Sequence, residues 1–203
     1  ALELGVGTGR VALDLARRGR PVCGIDISPK MLAVLDQKKG GLAVETHLGD
    51  MADCAIEGPF ELVYVVASTF FSLTEQSRQV DCFLNVARVL SPTGAFVVQS
   101  FVPSPAILRP GRNLILRKLT RDGVQLSAMD TDMSTQEIAY QEVSMCEGSL
   151  EFLPVAQRYC WPSELDLMAR LAGMRLVERW GDFDRSAFTR QSPAHVSVYR
   201  LGE

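Results

Sequence analysis

The chain has 203 residues, a length that suits one domain with a substantial core, and 47% of its residues are apolar, as in globular proteins. Its formal net charge is −3, so no basic excess is available to neutralise a nucleic-acid backbone. No apolar run is long enough to cross a bilayer, and the first residues do not resemble a signal peptide. Composition therefore argues against nucleic-acid-binding, membrane-spanning and disordered proteins.

The cysteines indicate a reducing compartment. There are five, an odd number, and none is spaced C-x-x-C, which argues against both a disulfide framework and a zinc site. We therefore expect a cytoplasmic protein without a metal centre. The chain begins without a methionine and directly at a glycine-rich motif, so we also expect that an N-terminal segment is missing.

The first half of the chain alternates short apolar runs with amphipathic segments. This pattern predicts strands at 1–4, 21–26, 43–48, 61–66 and 94–101, with helices at 11–19, 28–40 and 75–90 between them. Ser28 followed by Pro29 is typical of a helix start, and the segment 91–94 (SPTG) is expected to end the third helix. Five strands joined by crossovers predict a doubly wound, mostly parallel α/β sheet.

The pattern changes after Val102. Residues 103–160 carry β-like stretches at 114–119, 123–129, 137–145 and 150–159, separated by polar turns. We interpret them as an antiparallel insertion in a single domain spanning 1–203, because the segment is too short to own a large core. A helix beginning at 161–163 and strands at 175–180 and 195–200 then complete a seven-stranded sheet.

Three glycines on alternate positions, Gly5, Gly7 and Gly9, follow the first strand. A dinucleotide-binding turn needs its third glycine three positions after the second, and a P-loop needs G-x-x-x-x-G-K followed by Ser or Thr. Neither spacing is present. Glu3 at the strand end would also repel a pyrophosphate but could hold an ammonium group. The ligand is therefore expected to carry a cation near this turn.

Two further acids follow the next two strands. Asp26 can accept hydrogen bonds from both hydroxyls of a ribose, and Asp50 can accept one from an adenine amino group. The carboxyl ends of adjacent strands line the crevice where open α/β sheets bind ligands. An adenosine that carries an amino-acid tail and a positive sulfur satisfies all three acids.

The motifs ELGVGTG, GIDIS, GDM and LSPTG resemble those of class I methyltransferases that use S-adenosylmethionine (SAM). The resemblance implies a Rossmann-like fold and a set of cofactor-binding residues. Glu3 and the glycines would hold the methionine end, Asp26 the ribose, Ile27 or Met31 the adenine face, Asp50 and the backbone of Met51 the adenine edge, and Ala67 the methionine amino group.

Structural alternatives exist for each acid. Glu3 could partner a helix dipole, Asp26 could precede the Ser-Pro cap, and Asp50 could be a turn residue. Three such coincidences on neighbouring strand ends are harder to accept than one shared ligand. Met31 is more simply explained as core.

The acceptor is less well defined by the sequence. We expect Phe70, Phe71, Phe101, Arg158 and Trp161 to bind an apolar small molecule, although core packing is the alternative for the aromatic residues. His195 and Tyr159 are candidate catalytic residues, whereas His47, within a strand, is expected to be structural. Residues 158–200 resemble bacterial small-molecule methyltransferases, including those that act on amino sugars.

The predicted function is transfer of a methyl group from SAM to nitrogen or oxygen, rather than carbon, of a small molecule, with S-adenosylhomocysteine as product. Catalysis would come mainly from positioning. The principal alternative is a SAM-binding protein without transferase activity. Methylation of proteins or nucleic acids and NAD-dependent dehydrogenation are less favoured. The insertion is expected to cover the substrate or to form a homo-oligomer contact.

Overall fold

The computed structural model describes residues 1–53, 55–105, 108 and 111–202. Seven strands form the main sheet: β1 Leu2–Leu4, β2 Val22–Asp26, β3 Val44–Leu48, β4 Phe60–Val65, β5 Leu90–Phe101, β10 Met174–Trp180 and β11 Ala194–Leu201. Four strands form a second sheet: β6 Gly111–Leu119, β7 Gly123–Asp132, β8 Glu137–Cys146 and β9 Ser149–Arg158. The helices are α1 Ala12–Arg17, α2 Pro29–Lys39, α3 Gln76–Val89 and α4 Pro162–Leu171.

The main sheet has the order β10-β11-β5-β4-β1-β2-β3. Strands β1 to β5 are parallel, while β11 is antiparallel to β5 and β10 is antiparallel to β11. The predicted fold class is confirmed: a mostly parallel seven-stranded sheet with an antiparallel insertion after the fifth strand. The order reverses at β1, so the carboxyl ends of β1 and its neighbours define a crevice of the kind that binds ligands.

The expectation that the segment 91–94 separates helix from strand is wrong. Strand β5 begins at Leu90, directly after α3, and includes these four residues. The register with β4 shifts between the Phe60–Leu90 and Leu62–Ala95 pairs. A bulge therefore absorbs residues whose sequence is typical of a free turn.

The two faces of the main sheet are covered by different helices. One core cluster joins the sheet to α3 and α4 and includes Phe70, Phe83, Phe96 and Tyr199, all fully buried. A second cluster, which includes Leu13 and Leu35, packs α1 and α2 against the other face. At the start of α2, Ser28 Oγ accepts a hydrogen bond from the Met31 backbone N–H at 3.3 Å, as the Ser-Pro pattern predicts.

The insertion is a meander of four antiparallel strands. Met129 and Ile138 on its inner face are buried in the same core as α3 and α4. None of the described cysteines forms a disulfide. In the described part of the chain, no helix has the length and apolarity needed to span a membrane.

Candidate cofactor and acceptor sites

The glycine turn between β1 and α1 has a left-handed backbone, with φ of +69° at Gly5, +55° at Gly7 and +82° at Gly9. A Cβ on Gly5 would lie 2.3 Å from Thr69 Cγ2, and one on Gly9 would lie 2.2 Å from Leu35 Cδ1. A Cβ on Gly7 would meet no atom within 4 Å. Gly5 and Gly9 are therefore required for packing, whereas Gly7 borders open space beside the turn.

Asp26 connects this turn to the end of β2. Its Oδ2 accepts a hydrogen bond from the Gly7 backbone N–H at 2.8 Å, and its Oδ1 accepts one from the Ser28 N–H at 2.8 Å. Each carboxylate oxygen has lone pairs for a second partner. Asp26 thus fixes the turn and can still accept hydrogen bonds from a ligand hydroxyl.

Asp50 is held from two sides after β3. Its Oδ1 accepts a hydrogen bond from the Ala52 N–H at 2.8 Å, and Arg78 Nη2 on α3 donates to its Oδ2 at 3.0 Å. Arg78 also pairs with Asp53, and these bonds raise the arginine pKa and lower the pKa of Asp53. The Asp50 carboxylate therefore has one fixed orientation.

A cavity of about 240 Å³ lies at these strand ends. It brings together five of the predicted cofactor residues, Gly5, Asp26, Ile27, Asp50 and Met51. Thr69, Ser72 and Leu73 supply part of the opposite wall. No lysine or arginine is among the described residues that line it. Met31 is not part of the lining either, and it is 46% exposed on α2.

Glu3 lies beneath the turn and is 3% exposed. Its Oε2 accepts a hydrogen bond from the Tyr64 hydroxyl at 2.9 Å, and the backbone N–H of Ala12 at the start of α1 also donates to its carboxylate. Burial raises the pKa of Glu3 to about 7, against the lowering effect of these bonds and of Arg10. This geometry agrees with the helix-partner alternative, so contact with a ligand ammonium group stays a prediction.

The turn after β4 is the most strained backbone near the cavity. Ala67 and Ser68 both have positive φ, +56° and +59°, although neither is glycine. Gln99 on β5 holds them, because its Oε1 accepts from the Ala67 N–H at 2.6 Å and its carbonyl oxygen accepts from the Ser68 N–H at 3.2 Å. The turn therefore places Ala67 beyond the end of β4, as the prediction for this residue requires.

The sequence and fold of the chain are similar to those of known methyltransferases. Residues 1–94 match the family described as a methyltransferase domain. The structure of the CcbJ methyltransferase from Streptomyces caelestis is 38% identical, with a TM-score of 0.92, and the match covers 99% of this chain and 88% of that one. The chain belongs to the SAM-dependent methyltransferases.

Two more distant relatives extend this comparison. The cypemycin N-terminal methyltransferase of a Streptomyces species is 28% identical over 195 residues, which cover 94% of this chain and 78% of the relative. The SAM-bound structure of CalS10, an amino pentose methyltransferase from Micromonospora echinaspora, has a TM-score of 0.75 at 18% identity and covers 98% and 82% of the two chains. The second likeness shows the shared fold.

The residues of this methyltransferase fit the cofactor. The cavity at the ends of β1 to β3 offers carboxylate acceptors and no basic side chain among its described lining residues. A nucleoside with a sugar diol and an exocyclic amine matches that donor and acceptor pattern, whereas a phosphate would not.

A second cavity of the methyltransferase, about 250 Å³, lies between the strained turn and the inner face of the insertion. Ala67, Ser68 and Phe101 line it from the main sheet. The insertion supplies Arg117, Met129, Ile138, Tyr140 and Gln157. Phe101 is the one predicted acceptor residue in this lining.

The other predicted acceptor residues lie elsewhere. Phe70 and Phe71 are fully buried core residues, and Phe71 contacts Phe101 edge to face with ring centroids 4.9 Å apart. Trp161 immediately precedes α4, is 42% exposed and packs on Tyr159, which is itself buried. For these aromatic residues the structure agrees with the core-packing alternative, except for the half-exposed Trp161.

Arg158 is the centre of a buried polar network. Its guanidinium donates to Gln79 Oε1 at 2.6 Å, to Gln136 Oε1 at 2.8 Å and to Glu164 Oε1 at 2.8 Å. These bonds tie the end of β9 to α3 and α4, and Arg158 does not line either cavity. This arrangement accounts for the residue without a substrate.

The candidate base His195 is fully buried on β11. Its Nδ1 lies 2.8 Å from Ser197 Oγ, its ring packs on Phe188, and burial lowers its pKa to about 4. His195 and Tyr159 line neither cavity. Their catalytic roles stay predictions that this geometry does not favour.

His47 lies on β3 with Nε2 3.0 Å from Glu45 Oε1, in keeping with a structural role.

Sequence reasoning missed Arg78, Arg117, Tyr140 and Gln157. Arg78 is one of two arginines on the amphipathic helix α3, and the other three are polar residues within strand-like stretches of the insertion. No motif marks them. The alternation of the insertion strands could have assigned Tyr140 and Gln157 to one face, but only the register between strands brings them to the same cavity.

Proposed function

We propose that this protein transfers a methyl group from SAM to a nitrogen or oxygen atom of a small molecule bound between the main sheet and the insertion, releasing S-adenosylhomocysteine. One observation carries the proposal. The cofactor cavity includes Thr69, and the second cavity includes Ala67 and Ser68. The two cavities therefore border the same short turn, 67–69, and we expect a methyl donor and an acceptor to approach each other there.

When bound, SAM supplies a methyl group that its sulfonium already activates for in-line displacement. The protein's contribution is to bind and orient both reactants. Asp26 is suited to hold the ribose, the glycine turn the methionine end, Asp50 the adenine edge, and the fixed turn at Ala67 and Ser68 the region where the reactants meet. Positioning of this kind can contribute roughly 7–11 kcal/mol.

A protein base is needed only if the acceptor arrives protonated. Among the described lining residues of the acceptor cavity, Ser68 and Tyr140 bear hydroxyl groups. Burial of Tyr140 raises its pKa above the ordinary value, which disfavours tyrosinate as the base. The proposal therefore relies on an acceptor that is neutral and nucleophilic when it binds, as an amine near its own pKa would be.

The names of relatives support a small acceptor and favour nitrogen. The cypemycin enzyme is named for an N-terminus and CalS10 for an amino pentose. KedS8 from a Streptoalloteichus species is named a sugar N-methyltransferase. These names describe those proteins, and for this chain they indicate which acceptors to try first.

The test is incubation with methyl-labelled SAM and a panel of amines, phenols and sugars. We expect label to be transferred to at least one amine, with S-adenosylhomocysteine formed in equal amount. Tight SAM binding without transfer to any compound would instead support the alternative of a non-catalytic SAM-binding protein.

We also propose that the insertion forms a homo-oligomer contact. On the face opposite Met129, Leu116, Leu126, Val143 and Phe152 form a cross-strand row over all four strands, and Phe152 is 61% exposed. The row has no charged side chain, so the same row from a second copy can meet it without repulsion. Sedimentation should show a dimer for the native protein and a monomer for Phe152→Glu.

A further inference from the structure

A β-bulge directs one arginine of the insertion toward the acceptor cavity. The pairing of β6 with β7 shifts between Leu116–Leu126 and Lys118–Gln125, so Arg117 is the extra residue of the bulge. Bulges re-aim side chains, and they are frequent beside active sites. Here the guanidinium of Arg117 lies on the inner face of the insertion and lines the cavity with Tyr140 and Gln157.

Contacts of its Nε atom fix the orientation of the Arg117 guanidinium. Its Nε donates to the hydroxyl of Ser127 at 2.6 Å, and this fully buried hydroxyl donates in turn to Glu142 Oε1 at 2.7 Å. Both described contacts of the guanidinium, including a 3.7 Å approach to Glu142, involve Nε. The two terminal nitrogens are the groups that can form a forked pair with a planar oxygen group.

The other polar groups of the cavity are complementary to the same kind of ligand. Ser68 already accepts the Phe101 N–H at 3.0 Å, so its hydroxyl hydrogen can be donated. The Tyr140 hydroxyl and the Gln157 amide are further donors. No carboxylate is among the described lining residues. Among the described lining residues, the insertion side therefore presents one cation, Arg117, and two further donors, Tyr140 and Gln157, opposite the turn at Ala67 and Ser68.

We infer that Arg117 binds a carboxylate of the methyl acceptor and thereby determines which substrates are accepted. The inference rests on the proposed function and adds a substrate class: small molecules that carry a nucleophilic nitrogen or oxygen at one end and a carboxylate at the other. The nucleophilic end would face Ala67 and Ser68, and the carboxylate would face Arg117. Arg117 acts by binding and orienting the substrate, with no covalent step.

The experiment uses benzoate and benzamide, which have the same ring and differ in whether they carry a carboxylate. Each is titrated by calorimetry into the native protein and the variants, with and without saturating S-adenosylhomocysteine, and in the native protein the Arg117 Nε–H resonance is also followed by NMR. We expect benzoate to shift this resonance and to bind at least about tenfold more tightly than benzamide, as for one charged hydrogen-bonded pair. The preference should disappear in Arg117→Gln and persist partly in Arg117→Lys.

Arg112→Gln is the matched control, because Arg112 lies on the same strand with its side chain 92% exposed beside Asp130. This variant should keep the preference for benzoate. Equal affinity for benzoate and benzamide, binding of neither, or a preference unchanged in Arg117→Gln would overturn the inference. Failure of the proposed function would appear separately, as absence of S-adenosylhomocysteine binding by calorimetry, while the titrations without it still report on Arg117.

Discussion

The buried carboxyl group of Glu3 should make both stability and cofactor affinity depend on pH. Burial raises the pKa of Glu3 to about 7 in the folded protein, whereas in the unfolded chain it has its ordinary, lower value. The folded state therefore binds this proton more tightly, and stability falls as pH rises toward 7. Between the pH of the unfolded pKa and pH values above 7, the folded protein should therefore lose about 3 kcal/mol of stability.

Binding of the SAM ammonium group would favour the ionised form of Glu3. Affinity should therefore rise with pH, by about tenfold between pH 5.5 and pH 7.5. The groups that influence Glu3 are Tyr64, the Ala12 N–H, Arg10 and Asp26. The effect should be absent in Glu3→Gln, which can still accept the Tyr64 hydrogen bond.

Calorimetric titration with SAM and thermal unfolding, both across this pH range, measure the two effects. Glu147→Gln, an exposed position between β8 and β9, is the control and should behave like the native protein. If SAM affinity varies with pH equally in the native protein and Glu3→Gln, Glu3 does not face the ammonium group. If only the stability profile changes, its role is to support the start of α1.

Three further predictions concern stability and binding. Gly7→Ala should lower stability by only about 1–2 kcal/mol, the cost of its positive φ. It should nevertheless weaken SAM binding at least about tenfold in calorimetry, because the added Cβ would enter the open side of the turn. SAM affinity comparable to that of the native protein would contradict this. Gly5→Ala should unfold at a lower temperature than Gly7→Ala, since its Cβ would also clash with Thr69; equal melting temperatures would contradict the packing argument. Arg158→Met should cost about 3–5 kcal/mol in denaturant unfolding, because it removes the ion-pair partner of half-buried Glu164 and a hydrogen-bond donor to fully buried Gln79. The exposed Arg112→Met should cost less than about 1 kcal/mol; similar losses would show that the network does not carry this stability.

The order of the elements could be predicted because local patterns determine it. The alternation of apolar and polar residues, the helix-capping residues and the glycine positions predicted the parallel strands, the helices and the four insertion strands. The segment 91–94 could not be predicted, because its Ser, Pro and Gly are typical of turns and only the pairing with β4 converts them into a bulged strand.

The cofactor side of the site was also accessible to sequence reasoning. Asp26 and Asp50 each follow a strand directly, so parallel topology alone places them at one edge. The acceptor side could not be predicted in the same way, because the sequence does not distinguish buried from exposed phenylalanines. Phe71 is fully buried in the core, whereas Phe101 is only half-buried and lines the cavity. Arg117 reaches its cavity through a bulge that depends on strand register, which the sequence does not encode locally.

The central claim is that Asp26 holds the ribose of SAM at the end of β2. Calorimetry of SAM and S-adenosylhomocysteine binding to the native protein, Asp26→Ala and the exposed control Asp14→Ala tests it most directly. We predict binding of both ligands, a loss of at least about 1.5–3 kcal/mol in Asp26→Ala, as for hydrogen bonds to a charged group, and no change in Asp14→Ala. Undiminished affinity in Asp26→Ala, or binding of a nicotinamide dinucleotide in place of SAM, would contradict the account.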